Sequence, residues 1–347
     1  MLFQIIKQLE KDINKEGGFA QVSTETISKS GRRMMRAGSS INIPPVLQLN
    51  KLPEVIDVLQ YRNAHGPTNP NGDYISLFRI SDLTNQIPQF TQLYFPSGKR
   101  IDDVYEMVIL GATIKPDATF TNNAFYNSKQ LLSNLRLSNL GGTPDNWYPV
   151  YATPTDWYDQ ITNKENLFTS EIDFSNPEES FDSQFSVIAS QSGQNLGWNK
   201  PNTNGQVEET SLSQGSTFNK IRFKYLQVQL SRPWLSFDIF DMGGWYLGGQ
   251  ETGYISSGDI SDNGGVFPLY PVSFIIATDL EIESNLNDVD TKIVSESINE
   301  SGSINLGPFS ISTISTNKVS NLNTLTNDGY FIIAWISQLV HLSPKDN

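Results

Sequence analysis

The chain has 347 residues, with 24 Lys+Arg against 37 Asp+Glu and a formal net charge of −13. That balance argues against a broad phosphate-neutralising surface, and hence against nucleic acid as a partner. Cysteine is absent, which removes disulfides, thiolate nucleophiles, Fe–S clusters and zinc–thiolate sites; two histidines, His65 and His341, exclude a three-histidine metal site within one chain.

Residues 1–16 predict an amphipathic helix. Leu2, Ile5, Ile6, Leu9 and Ile13 recur at helical spacing, and Gly17-Gly18 ends the run. The stripe lies on the chain's own core, or it docks on a protein partner or a neighbouring copy through those five residues. Lys7, Glu10, Lys11 and Asp12 interrupt the apolar residues and no small-residue cleavage site follows, so no secretory signal is expected. No window reaches 18 uncharged apolar residues. The expectation is a soluble protein, cytoplasmic at synthesis, with a leaderless export route open to it.

Arg32, Arg33 and Arg36 form a dense positive cluster in an acidic chain. They belong to a solvated loop or anchor an acidic partner. Pro53–Arg62 predicts a short helix. Asn69-Pro70-Asn71-Gly72-Asp73 sets side-chain oxygens at alternate positions, like the front half of a calcium loop. Ile80 stands where the bidentate Glu would be. The expectation is an Asx-type turn and no cofactor, with Asn69, Asn71 and Asp73 as the candidate calcium ligands. Tyr74–Ile80 and Val104–Leu110 predict strands, and Lys129–Leu140 a helix stopped by Gly141-Gly142.

From Trp147 aromatics, turns and short β-favouring runs take over. Residues 163–215 read as polar surface loops. Ile221–Leu230 predicts a strand whose apolar set changes face between Tyr225 and Leu226. A β-bulge there would restore one buried face; a strand leaving one core for another is the alternative. Ser231-Arg232-Pro233-Trp234 ends it as a structural clasp, with Arg232 stacked on Trp234 or bridging a carboxylate. Leu235–Phe240, Pro271–Ile282 and Tyr330–Val340 are further strand candidates. Gly243–Gly249 reads as a tight β-turn carrying Trp245 and Tyr246.

Residues 289–319 alternate a Ser/Thr-rich face with a second face. They form an ordinary hairpin over the core, or one that a pore-forming protein inserts, through Ile293, Ile304, Leu306, Phe309, Ile311 and Ile314. No G-x-S-x-G occurs, so His65 lacks an obvious nucleophile. The adjacent acids Asp102-Asp103, Glu178-Glu179 and Glu208-Glu209 do not suggest a glycosidase pair. The aromatics at 147–158 and 245–254 offer sugar-stacking rings or core anchors.

Together these features imply an α+β fold, predominantly antiparallel β. Its body is large and sandwich-like, with the N-terminal amphipathic helix and one or two further short helices. A soft boundary near residue 145 separates a mixed part (1–145) from a β-rich part (146–347), packed as one body. Residues 232–234, Trp245, 268–279, 307–310 and 332–336 together resemble a family of uncharacterised β-rich proteins of bacteria and fungi, over roughly 145–345. The resemblance supplies no catalytic or binding residues. The expected function is non-catalytic: a binding or assembly protein, as a component or cargo of a larger secreted machine. Its partner is then another protein or a second copy. A pore-forming protein and a carbohydrate-binding protein are the alternatives.

Overall fold

The computed structural model describes residues 2–15, 45–137, 148–175, 185–186, 188, 197–201, 207–317 and 322–346. Helix α1 (Leu2–Lys15) opens the chain, and β1 (Val46–Val55) leads into a 3-10 helix at Val58–Tyr61. Next come α2 (Tyr74–Thr84), β2 (Gln86–Pro88), β3 (Leu93–Tyr94) and β4 (Pro96–Arg100). Helix α3 (Ile101–Gly111), β5 (Ala112–Ile114) and α4 (Thr119–Leu137) follow. The middle of the chain forms β6 (Tyr151–Thr153), α5 (Trp157–Asn163), β7 (Phe168–Asp173), β8 (Gly197–Pro201), β9 (Val207–Ser211) and β10 (Thr217–Ser231). A second 3-10 helix (Phe237–Asp241) precedes β11 (Trp245–Leu247), β12 (Leu269–Asn285) and α6 (Asp288–Ser301). The last strands are β13 (Ile304–Leu306), β14 (Phe309–Ile311), β15 (Thr313–Thr316), β16 (Asn323–Asn327) and β17 (Phe331–Leu339). The fold is α+β with a β-rich body of mostly antiparallel sheets and an N-terminal helix.

A nine-stranded sheet runs β15-β16-β12-β17-β1-β3, with β10 also on β12 and β6 and β7 on β10. Only the β1–β3 pairing in it is parallel, among the described strands. Strand β1 sits between β17 and β3, so this sheet crosses the boundary expected near residue 145. A four-stranded sheet, β14-β13-β8-β9, lies over it. Phe309 of that sheet meets Phe223 of β10 with ring centroids 5.4 Å apart.

Strand β10 serves two cores. Ile221, Phe223 and Tyr225 belong to one apolar cluster, while Leu226, Val228 and Leu230 belong to another. Alternate side chains leave opposite faces of a strand, so the two clusters lie on opposite sides of the sheet there. The ladder with β12 stays in register from Lys224 to Gln229, so no bulge separates Tyr225 from Leu226. The irregularity falls between Arg222 and Lys224, opposite Asp279, whose φ is 52°. Of the two readings of this strand, the change of core is the one observed.

Three segments expected as strands are helices; two begin at a side-chain cap and the third carries acids in its first turn. Asp73 accepts the amides of Ile75 and Ser76 and starts α2. Asp102 and Asp103 occupy the first turn of α3, where the helix dipole favours negative charge. Asn287 accepts the Asp290 amide at the start of α6, and Gly302, at φ 78°, ends it in the left-handed conformation. Pro53–Arg62 is instead the end of β1 and a short 3-10 helix, and Leu235–Phe240 gives way to a 3-10 helix. The helix expected at 129–140 begins earlier, at Thr119.

Ile5, Ile6, Leu9 and Ile13 are buried, with α1 lying against β7 and β1. Burying each such side chain stabilises by roughly 1.5–3 kcal/mol. The face expected to meet a partner is therefore spent on the chain's own core. The Leu2 side chain and Arg32, Arg33 and Arg36 lie outside the described residues.

Candidate interaction surface

Helices α2, α3 and α4 each turn one apolar stripe inward and a second outward. In α2, Leu77 and Ile80 are buried while Ile75 and Phe78 face solvent. In α3, Val104, Tyr105, Val108 and Ile109 are buried while Met107 and Leu110 are exposed. In α4, Phe125 and Leu132 are buried while Phe120, Tyr126 and Leu131 are exposed. Ile75 and Phe120 keep 65% and 60% of their surface in contact with solvent. With Val55, Leu59 and Phe95, ten of the twelve exposed large apolar side chains among the described residues fall within 55–131. Isolated exposed apolar residues are ordinary; this segregation is not.

Helix α2 packs on the cluster of Leu226 and Val228, and α3 and α4 pack on the cluster of Phe223 and Tyr225, with the segment between α2 and α3 linking them. Arg100, just before α3, pairs with Asp82 of α2 at 2.7 Å and with Asp102 at 3.2 Å. The Ile101 amide donates to Asn85 O at 2.8 Å. Helices α3 and α4 pack side by side.

Behind α2 sits a buried arginine. Arg232 Nε donates to Asn85 Oδ1 at 2.9 Å, Nη2 to Thr84 O at 2.5 Å and Nη1 to Pro271 O at 2.7 Å. Two of these acceptors lie at the C-terminal end of α2, where the dipole favours a cation. Burial lowers the Arg232 pKa. Its ring partner is Tyr270, 5.0 Å below the guanidinium, and its acceptors are carbonyls and an amide. The expected stacking on Trp234 and the expected carboxylate bridge are both replaced. Trp234 Nε1 instead donates to Pro149 O at 2.8 Å.

Glu54 lies on β1 opposite Ile332. Burial pushes its pKa up to about 7. Burial first, and the nearby Glu54 charge second, raise Tyr61 and Tyr94. Tyr94 stacks on Trp335 at 4.9 Å. A carboxyl with this pKa can hold or release a proton at neutral pH.

The other residues singled out from the sequence are scattered. His65 stacks on Tyr74 at 4.3 Å. Asn69 Nδ2 donates to Asn63 Oδ1 and Ala64 O, and Asp73 is occupied as the α2 cap, so the Asn69–Asp73 stretch is a turn that launches a helix. Among the described residues no group of three or more His, Cys, Asp or Glu is arranged to hold a metal. Ile304, Leu306, Phe309 and Ile311 are fully buried in the β13–β14 hairpin; Ile293 lies on α6 and Ile314 on β15, both partly buried. The first arm expected for an inserting hairpin is thus a helix. Trp157, Trp198, Trp234, Trp245 and Trp335 are all fully buried, so none offers a ring face to a sugar. A groove of about 190 Å³, lined by Phe90, Lys99, Asn263 and Val266 among others, is smaller than the roughly 300–1,000 Å³ of common ligand pockets. No helix among the described residues is long and apolar enough to cross a membrane.

The outward stripes were missed because a helix with apolar residues on both sides shows no clean period. The signal available in the sequence is the Asp73 cap of α2 and the first-turn acids of α3, which place these helices and so reveal which residues face outward.

Compared with protein-family models, with curated proteins and with solved structures, the chain matches none.

Proposed function

We propose that this chain is a non-catalytic, β-rich binding or assembly protein that meets another polypeptide through the exposed apolar side chains of α2, α3 and α4. The observation that carries this reading is the confinement of ten exposed large apolar side chains to residues 55–131. The same stretch carries six cationic and seven anionic side chains, so most of the chain's charge of −13 lies elsewhere. Exposed apolar side chains in a nearly neutral stretch of an acidic chain let a partner approach without strong repulsion. The rigid β body behind it holds the helices in place at low entropic cost to binding.

Photo-crosslinking in the native host tests this. A crosslinking side chain at position 78, 110 or 120 is expected to capture a polypeptide, either a second copy or another chain. The same group at Arg222, on the charged strand face, is the reference. Capture no greater than at Arg222 from all three positions defeats the proposal. Ile75→Ser should weaken capture at position 78 while leaving the fold intact, because the Ile75 side chain is largely in water.

A further inference from the structure

After β17 come residues 341–346, with Ser343 and Pro344 buried and Leu342 and Lys345 exposed. Backbone bonds hold its middle. The amides of Ile255 and Ser256 donate to Ser343 O at 2.9 and 3.1 Å, and the Ser343 amide returns a bond to Ser256 O at 2.9 Å. The Gly253 amide donates to Pro344 O at 3.0 Å. Charge holds both ends. His341 Nδ1 pairs with the Asp241 carboxylate on the second 3-10 helix, and Lys345 Nζ donates to Asp241 O. At the far end Asp346 takes Lys115 Nζ at 2.9 Å and the Gly244 amide. One short segment thus clips the 3-10 helix, the turn before β11 and the turn before α4 to the end of β17.

We propose that residues 341–346 form a proton-controlled strap, closed while His341 carries its proton and loosened over Gly244 and residues 253–256 when the proton leaves. His341 and Asp241 are 28% and 35% exposed, so protons reach the pair without unfolding of the body. The bond to Asp241 raises the His341 pKa, against opposition from burial and from the charge of Lys345. Asp238 sits on the same 3-10 helix as Asp241, and its own pKa is raised by burial and then by Asp241. Lys115 and Asp346 neutralise each other at the far end. Residues 253–258 bring no carboxylate or ammonium. The closed strap therefore binds the His341 proton more tightly than the open one. Closing is favoured below the pH at which the open His341 titrates, and that advantage is lost as pH rises through the closed-state value.

Amide exchange of the full chain, followed residue by residue by NMR, tests the strap. Protection factors at Gly244, Gly253, Ile255 and Ser256, corrected for intrinsic pH dependence, should fall by about two- to fivefold between about pH 5.5 and pH 8.5, the range a partly exposed ion pair spans. Leu226 and Ile276, deep in the β10–β12 ladder, should hold their protection. In His341→Gln and in Asp241→Asn the four strap amides should be weakly protected and flat with pH. Equal wild-type protection at both ends of the range overturns the proposal, and so does the same fall in His341→Gln.

Discussion

The indole N–H of Trp198 on β8 donates to the carboxylate of Asp290 on α6 at 3.0 Å, across 92 residues of chain. The same carboxylate accepts the Ser213 amide and hydroxyl, each at 3.1 Å, and the Ser216 hydroxyl. Asp290 is fully buried, so these donors replace water around its charge. Helix α6, β8 and the turn ahead of β10 share this one acceptor. Asp290→Ala strands all four donors and should cost on the order of 3–5 kcal/mol, seen as a lower urea midpoint. Asp290→Asn should recover part of that, since its amide oxygen still accepts while its amide N–H faces donors.

Arg232 joins the end of α2 to β12 through Thr84, Asn85 and Pro271. Arg232→Ala leaves three buried acceptors without donors and opens a void. Chemical denaturation should show a loss of about 3–5 kcal/mol. Arg232→Lys should rescue little, because an ammonium has no planar fork to serve three directions.

Glu54 has a folded-state pKa of about 7 against an ordinary 4.5. The folded protein binds this proton more tightly than the unfolded chain. Its carboxyl therefore favours folding least at high pH: stability falls as pH rises from the unfolded value through the folded one, then levels. Glu54→Gln removes that decline. Denaturation curves should coincide near pH 4.5, while at pH 8 the variant should lead by about 1–3 kcal/mol.

Gly72 lies where a Cβ would come within 2.6 Å of the backbone of Ala64 and His65. Backbone cannot swing aside as a flexible side chain can. Gly72→Ala should lower stability by about 1–3 kcal/mol in thermal melts. It should also disturb the bond from the Asp73 amide to Asn63 O that precedes α2.

The long strands were legible because their apolar runs exceed what turns and loops tolerate: β10, β12 and β17 lie where β-branched and aromatic residues concentrate. The phase break at Tyr225–Leu226 was visible too, and reading it correctly needed only the idea of a second core. Helices α2, α3 and α6 were hidden by chance alternation in Tyr74–Ile80, Val104–Leu110 and Val289–Ile298. Their caps Asp73 and Asn287, and the first-turn acids of α3, spoke against strands at the same positions. The outward stripe of α2 to α4 followed those helices out of view. The Arg232 contacts were beyond reach, since its acceptors are carbonyls from segments 39 and 148 residues away. Backbone acceptors carry no residue signature.

Strand β1 is hydrogen-bonded into the sheet built by β12 and β17, on the far side of residue 145. Produced as separate polypeptides, 1–145 and 146–347 would each carry an unfinished interior and a raw sheet margin. Mixed together, the two pieces should reassemble without a covalent link and travel as a single species.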